Sequence, residues 1–149
     1  NIDLVRLLEQ LRFEFMPMLK DKSLTCTLCA PETLPISCDA GKIQRVFDNL
    51  LRNAVLYSYP GTEIVINAQL EGENASVSVL NRGNTIPEEK LRRIFEQFYR
   101  LDAARSSSGG AGLGLAIASN IVALHGGSIN ARSVDETIEF AVMLPVGKS

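Results

Sequence analysis

Two pairs of alternating apolar and polar segments constrain most strongly what this chain can fold into. Residues 63–70 and 75–80 are joined by E-G-E-N, and residues 128–132 and 137–144 are joined by a short polar stretch. Alternation with a period of two is typical of half-buried strands, and short connections of this kind are typical of β-hairpins. We therefore expect a sheet with one apolar face, which helices must cover.

Helical periodicity fills most of the chain outside the hairpins, and residues 24–28 are expected to add a further strand. Asp3 is a possible N-cap, a bend is expected near Pro17, and Pro60 limits the longest helix. The predicted helices cover residues 4–22, 39–58, 87–95 and 113–124. This order predicts an α+β fold, a two-layer α/β sandwich whose mixed sheet is covered by helices on one face.

The composition is that of a soluble globular domain. The 149 residues are 46% apolar and 21% charged, with a net charge of −2, so no basic surface for nucleic acid is indicated. No apolar stretch of membrane-spanning length occurs. We expect residues 1–149 to be one domain of a longer protein, because the chain does not begin with Met. Cys26, Cys29 and Cys38 are expected to be reduced thiols without a role in a site.

The longest predicted helix carries Asn49 and Asn53 one turn apart, on one face. Asparagine is a poor helix former, because its side chain competes for backbone hydrogen bonds. One interpretation is a solvated polar face. The other is a site in which amide oxygens ligate Mg²⁺ and amide nitrogens bind a nucleotide, since Mg²⁺ takes few protein ligands when phosphates supply the rest.

A run of small residues, S-G-G-A-G-L-G-L-A-I at 108–117, leads directly into an apolar helix. Glycines at this density let backbone N–H groups approach an anion, and the helix adds its positive N-terminal end. The run is not a P-loop, because no Gly-Lys-Ser/Thr follows, and not a Rossmann fingerprint, because no strand precedes it. It favours a phosphate-binding lid over a flexible linker.

Two further stretches are ambiguous alone. N-R-G-N-T-I-P, residues 81–87, places Gly83 between polar residues, which is ordinary turn chemistry. I-F-E-Q-F-Y-R, residues 94–100, spaces Phe95 and Phe98 as a helix core would, although both could also anchor the base of a lid.

Taken in order, these motifs resemble the ATP-binding catalytic domain of bacterial sensor histidine kinases. D-N-L-L-R-N-A matches the N box, N-R-G-N-T-I the first glycine box, F-E-Q-F-Y-R the F box and G-G-A-G-L-G-L-A-I the second glycine box. The resemblance covers nearly the whole chain and implies the Bergerat fold. V-F-D-N-L-L-R-N-A-V-L-Y-S-Y-P and T-I-P-E-E are also similar to the sensor kinases that control vancomycin resistance.

The resemblance implies ATP and Mg²⁺ as cofactors, and transfer of the γ-phosphoryl group to a histidine on a dimerisation domain. Asn53 would ligate Mg²⁺, Asn49 would contact the phosphates or the metal shell, and Tyr57 would flank the nucleotide. Arg100 and Arg105 are candidates for contact with the γ-phosphate. Thr137 would support the adenine-binding residue. The full set of further residues expected at the nucleotide is Asn81, Gly83, Ile86, Gly110, Gly112, Leu113, Gly114 and Thr137.

The resemblance also implies partners. The parent would be a homodimeric membrane sensor with this domain in its cytoplasmic part. The expected partners of the domain are the sensor's own dimerisation and phosphoacceptor domain and a cognate response regulator. No acceptor segment of the S-H-E-L-R kind occurs in residues 1–149, and the single histidine, His125, is interpreted as a capping or packing residue. No nucleic-acid partner is expected.

The chain departs from the family pattern at positions that bear on the nucleotide. Leu56 stands where the N box usually has Lys or Arg, and D-E-T keeps Thr137 but not the glycines of the family's G-x-G-T turn. Asn81 replaces the Asp that accepts the adenine amino group. A neutral amide is a weaker acceptor than a carboxylate, and it can also donate. We expect modest ATP affinity and relaxed base choice.

Three rival functions share the expected pocket. A nucleotide-binding interaction module with little or no kinase activity is favoured slightly by Leu56 and Asn81. An ATP-hydrolysing member of the wider superfamily typically has a Glu one helical turn before the first Asn, whereas Asp48 is adjacent to it. A serine kinase of the anti-sigma type shares the pocket but lacks this F-box pattern.

Overall fold

The structure is a computed structural model that describes residues 1–96 and 114–147. Glycine-rich residues 108–113 of the predicted lid therefore lie outside the described part. In chain order the elements are β1 (Ile2–Asp3), α1 (Leu4–Glu14), α2 (Met16–Asp21), β2 (Thr25–Cys29), β3 (Pro35–Ile36), α3 (Ala40–Tyr57), β4 (Glu63–Glu71), β5 (Asn74–Arg82), α4 (Glu88–Leu91), α5 (Gly114–Leu124), β6 (Ser128–Val134) and β7 (Thr137–Pro145).

The described part contains a five-stranded mixed sheet in the order β2-β4-β5-β7-β6. Strand β2 pairs with β4 in parallel, and the other neighbouring pairs are antiparallel. Both predicted hairpins are confirmed, as β4–β5 and β6–β7. The second one turns through Asp135 and Glu136, which both have positive φ angles, 51° and 60°. The α+β fold with a mixed sheet is confirmed.

The core lies between the sheet and the helices. Along β5 and β7 alternate residues are buried, so one face of the sheet is apolar and the other is partly exposed. Helix α3 begins at the N-cap Asp39, whose side chain accepts from the backbone N–H of Lys42, and it buries a wide apolar face. The buried residues of α3 are Ile43, Val46, Phe47, Leu50, Leu51, Ala54 and Val55.

The bend expected near Pro17 is confirmed, and one other predicted helix is shorter than expected. The first predicted helix is divided at Phe15 into α1 and α2, because Pro17 lacks an N–H and fits only the first turn of the new helix α2. The helix predicted over 87–95 ends at Leu91. The chain then tightens into turns with i→i+3 hydrogen bonds, and these place Ile94 in the core and Phe95 edge-on against Phe140, 6.0 Å between ring centroids.

The N-terminal helices hold two neighbouring elements by side-chain hydrogen bonds. Lys22 Nζ donates to the carbonyl oxygens of Val55 at 2.8 Å and Leu56 at 2.9 Å, which satisfies the C-terminal end of α3. Arg12 Nη1 donates to Cys26 O on the outer strand β2, at 3.0 Å. Burial raises the pKa of the Cys26 thiol to about 11, so this cysteine is not a thiolate at neutral pH.

None of the described helices is both long and apolar enough to cross a bilayer. Cys26, Cys29 and Cys38 are free thiols, as expected from the sequence.

His125 connects the two long helices at one end of the molecule. Its Nδ1 lies 2.9 Å from Ile121 O, and its Nε2 accepts a hydrogen bond from the backbone N–H of Asp39 at 3.2 Å. Because Nε2 accepts, Nδ1 carries the proton and donates to the carbonyl of Ile121. The interpretation of His125 as a capping residue is confirmed.

We expect His125→Ala to lower the free energy of unfolding by about 0.5–1.5 kcal/mol, because it removes the acceptor of Asp39 N and one of the two hydrogen bonds to Ile121 O, which keeps the backbone N–H of residue 125 as a donor. Chemical denaturation measures the change. The matched control is Leu124→Ala, since Leu124 is 75% exposed and its truncation should cost less than about 0.5 kcal/mol. Equal losses in the two variants would contradict the assigned role.

Candidate functional site

Three residues of helix α3, Asn49, Asn53 and Tyr57, form a row beside its buried face. They are four residues apart and all partly exposed. At a rise of 1.5 Å per residue the row is about 12 Å long. The apolar residues of α3 fix which side of the helix faces the core, so this row lies at the partly exposed margin of the core.

Asn49 joins the row to helix α5. Its Nδ2 donates to the carbonyl oxygen of Gly114 at 2.9 Å, and a Cβ on Gly114 would lie 3.7 Å from Asn49 Cγ. Gly114 is the last glycine of the glycine-rich run, so the structure brings the end of that run to the N-box helix.

Several predicted contacts stay predictions, because they belong to the undescribed part of the chain. These residues are Arg100, Arg105, Gly110, Gly112 and Leu113.

Asn53 occupies the middle of the row with its amide held in one orientation. Its Nδ2 donates to Asn49 O at 3.1 Å, one helical turn back. Its Oδ1 accepts no hydrogen bond from the described residues and is the atom that a metal ion would contact. Residues 1–96 and 114–147 contain no group of three or more His, Cys, Asp or Glu side chains arranged to hold a metal ion.

Gly83 closes the other end of the row. A Cβ at this position would lie 2.2 Å from the carbonyl oxygen of Tyr57, closer than any real side chain approaches backbone. The backbone N–H of Tyr59 also donates to Arg82 O at 2.8 Å. The end of α3 and the start of the 83–87 loop therefore lie in direct contact, and a residue without a side chain is required at 83.

Asn81 is a polar residue among the apolar, inward-facing residues of strand β5. It continues the inward-facing positions of β5, and it is 2% exposed. Its Nδ2 is fully enclosed and has no hydrogen-bond partner in the described part of the chain. An unpaired buried amide costs about 1–3 kcal/mol, so this side chain is poorly explained by folding alone.

The 83–87 loop is fastened to the β6–β7 hairpin by three hydrogen bonds. Gly83 N donates to Glu136 O at 3.0 Å, Ile86 N to Ser133 Oγ at 2.8 Å, and Glu136 N to Thr85 Oγ1 at 2.8 Å. Ile86 is itself buried. The loop is therefore a fixed wall beside Asn81.

Tyr59 adds a side-chain bridge over the same loop. Its hydroxyl lies 2.8 Å from both Asn84 Oδ1 and Glu136 Oε2. The hydrogen bond to the Glu136 carboxylate raises the pKa of Tyr59. Neither Tyr59 nor Ser133 was singled out from the sequence, because isolated Tyr and Ser residues carry no local signal.

Thr137 does not contact Asn81 by a side-chain hydrogen bond. It pairs with Arg82 across the β5–β7 ladder, while Asn81 pairs with Ile138. The carbonyl oxygen of Thr137 accepts from Ser133 Oγ at 3.0 Å, and the same hydroxyl accepts from Ile86 N. Thr137 is thus linked to the 83–87 loop indirectly: its backbone carbonyl holds the Ser133 hydroxyl, and that hydroxyl accepts from Ile86 N.

We expect Gly83→Ala to destabilise the domain by about 1–3 kcal/mol, the usual effect of overpacking, because the new Cβ collides with Tyr57 O. Thermal unfolding measures it. Gly41→Ala is the matched control: Gly41 lies in α3, and a Cβ added there would lie 3.7 Å from Asp39 Oδ1, so the change should be neutral or slightly stabilising. A Gly83→Ala protein as stable as Gly41→Ala would contradict the close approach.

Comparison with known proteins identifies the class of this domain. Residues 38–148 match the family described as histidine kinase-, DNA gyrase B-, and HSP90-like ATPase. The chain is 47% identical to the sensor protein VanSC of Enterococcus gallinarum over 96% of its own length and 40% of that protein. It is 49% identical to the sensor protein VanS of Enterococcus faecium over 97% of its length and 38% of that protein.

The fold agrees with these relatives. The catalytic domain of the histidine kinase ThkA superposes with a TM-score of 0.88 at 26% identity, covering 97% of this chain and 93% of that one. The chain therefore belongs to the family of histidine kinase-, DNA gyrase B- and HSP90-like ATPases. Its resemblance to histidine-kinase catalytic domains is confirmed, and it spans about 40% of the length of the curated relatives it matches.

Proposed function

We propose that this chain is the catalytic, ATP-binding domain of a sensor histidine kinase. One observation carries the proposal. The row Asn49, Asn53 and Tyr57 runs along α3 from the carbonyl of Gly114 at one end to the close contact of Gly83 at the other. The base would lie at the Gly83 end, beside the buried amide of Asn81, and the phosphates at the Gly114 end, where the glycine-rich run meets α5.

The end near Gly114 suits phosphates for a physical reason. Helix α5 begins at Gly114, so its first backbone N–H groups and the positive end of its dipole lie at this end of the row. The glycine-rich run immediately before it would supply further backbone donors. Arg100 and Arg105, also in this part of the sequence, would contact the γ-phosphate.

The residues present fit a magnesium ion. Asn53 presents an amide oxygen while its nitrogen is held by Asn49 O, and Mg²⁺ prefers oxygen ligands. When bound there with the phosphates, Mg²⁺ would neutralise charge that develops on them. Asn53 is the proposed ligand and Asn49 the proposed contact to the phosphates or the metal shell.

The reaction proposed is transfer of the γ-phosphoryl group of ATP to a histidine of a separate dimerisation domain. The bond between the γ-phosphorus and the bridging oxygen breaks, a phosphorus–nitrogen bond forms on the partner imidazole, and ADP leaves. Such transfers pass through a loose transition state, so the domain mainly positions the phosphate and stabilises its charge. His125 is not the acceptor, because hydrogen bonds already engage both its ring nitrogens.

The similarity to VanS and VanSC supports a place in vancomycin-resistance signalling. The parent would be a homodimeric membrane sensor with this domain in the cytoplasm, and a cognate response regulator would receive the phosphoryl group.

Transfer in trans tests the proposal. The domain, γ-labelled ATP and a separately produced dimerisation domain of a VanS-type kinase should yield acid-labile, base-stable label on the dimerisation domain. The control omits this domain. Tight ATP binding with no transfer under any condition would instead favour an interaction module, and release of inorganic phosphate alone would favour an ATPase.

We expect Asn53→Ala to reduce Mg²⁺-dependent ATP affinity and transfer by at least about tenfold, because it removes the proposed oxygen ligand. Calorimetric titration with ATP, in the presence and in the absence of Mg²⁺, separates the metal-dependent part of the ATP affinity from the metal-independent part. Asn120→Ala is the control, since Asn120 is exposed on α5. If Asn53→Ala and Asn120→Ala show the same dependence on Mg²⁺, Asn53 is not a metal ligand.

A further inference from the structure

The amide of Asn81 has no protein partner at either polar atom among the described residues. Nδ2 is fully enclosed and unpaired, whereas Oδ1 is not fully enclosed and also accepts no hydrogen bond from these residues. Because the side chain is 2% exposed, bulk solvent hardly reaches this amide. The polar group is therefore placed for something that enters beside it.

The surroundings of Asn81 hold the side chain in place without fixing the orientation of its amide. Ala75, Val77 and Val79 precede it at the inward positions of β5, and Ile138 is its partner on β7. A Cβ on Gly83 would lie 3.3 Å from Asn81 Nδ2, so the bare backbone at 83 makes room for this amide. A half-turn about the last side-chain bond exchanges the oxygen, which accepts, with the NH₂ group, which donates.

We propose that Asn81 allows the pocket to bind purine nucleotides with a carbonyl group at C6 as well as adenine nucleotides. This rests on the proposed nucleotide-binding function. With Oδ1 toward the base, the amide accepts a hydrogen bond from the 6-amino group of adenine. With the amide reversed, Nδ2 donates to a 6-carbonyl group. No hydrogen bond from the described residues favours one orientation over the other.

A carboxylate at the same position would behave differently. It has two acceptor oxygens and no donor, so it matches a 6-amino group and repels a 6-carbonyl group in either orientation. The identity of residue 81 thus sets the base preference of this pocket.

Inosine triphosphate is the sharpest probe, because it carries a 6-carbonyl group and no amino group. Calorimetric titration of the domain with ATP and with inosine triphosphate, both with Mg²⁺, should give affinities within about tenfold of each other, a difference of at most about 1.4 kcal/mol. In Asn81→Asp the preference for ATP over inosine triphosphate should rise by at least about tenfold. Asn84→Asp is the matched control, because it adds the same charge on an exposed side chain of the neighbouring loop.

If Asn81→Asp does not fold, Asn81→Leu replaces it, since leucine has nearly the shape of asparagine and no polar atom. It should weaken both nucleotides to a similar extent, whereas a loss confined to ATP would overturn the proposal. A wild-type domain that binds ATP but discriminates against inosine triphosphate by more than about tenfold overturns this inference and leaves the proposed function intact. Failure to bind either nucleotide overturns both.

Discussion

Burial of one side of helix α3 is the constraint on which the site depends. Seven residues of this helix are buried against the sheet and the other helices, and their contact with the core fixes the rotation of α3 about its own axis. The row of Asn49, Asn53 and Tyr57 then has a determined position at the edge of the core. Lys22 and His125 fix the two ends of the helix, so the row is held lengthwise as well.

Much of the architecture could be predicted from the sequence because its signals are local. The hairpins follow from period-two alternation, and α3 follows from the cap at Asp39 and the apolar repeat. The errors fall where tertiary contacts override a local pattern. The 87–95 segment has helical composition, yet burial of Ile94 and the contact of Phe95 with Phe140 end the helix early. The two-residue strands β1 and β3 were missed, since a pair of residues has no period.

The site was predictable only in part, because some of its contacts have local signals in the sequence and others are made by tertiary structure. Asn49 stands out as a poor helix former inside a helix and Gly114 as the end of a glycine-dense run, whereas Gly83 has only ordinary turn chemistry around it. The structure gives all three residues close contacts. The bonds that hold the 83–87 loop join residues that are about 50 positions apart in sequence, as between Thr85 and Glu136. Such pairings depend on the order of strands in the sheet, and no window along the sequence reports them.

The hydrogen bond from Arg12 to Cys26 O has a consequence for assembly. Strand β2 is an outer strand of the sheet, and an outer strand offers unpaired backbone groups to any extended chain that approaches it. The charged side chain of Arg12 donates to the carbonyl oxygen of Cys26 in this strand, and it also pairs with Glu9 at 2.6 Å. Helix α1 therefore does more than cover the core: it places a charged side chain at this outer strand, and charged side chains at a sheet edge oppose edge-to-edge pairing.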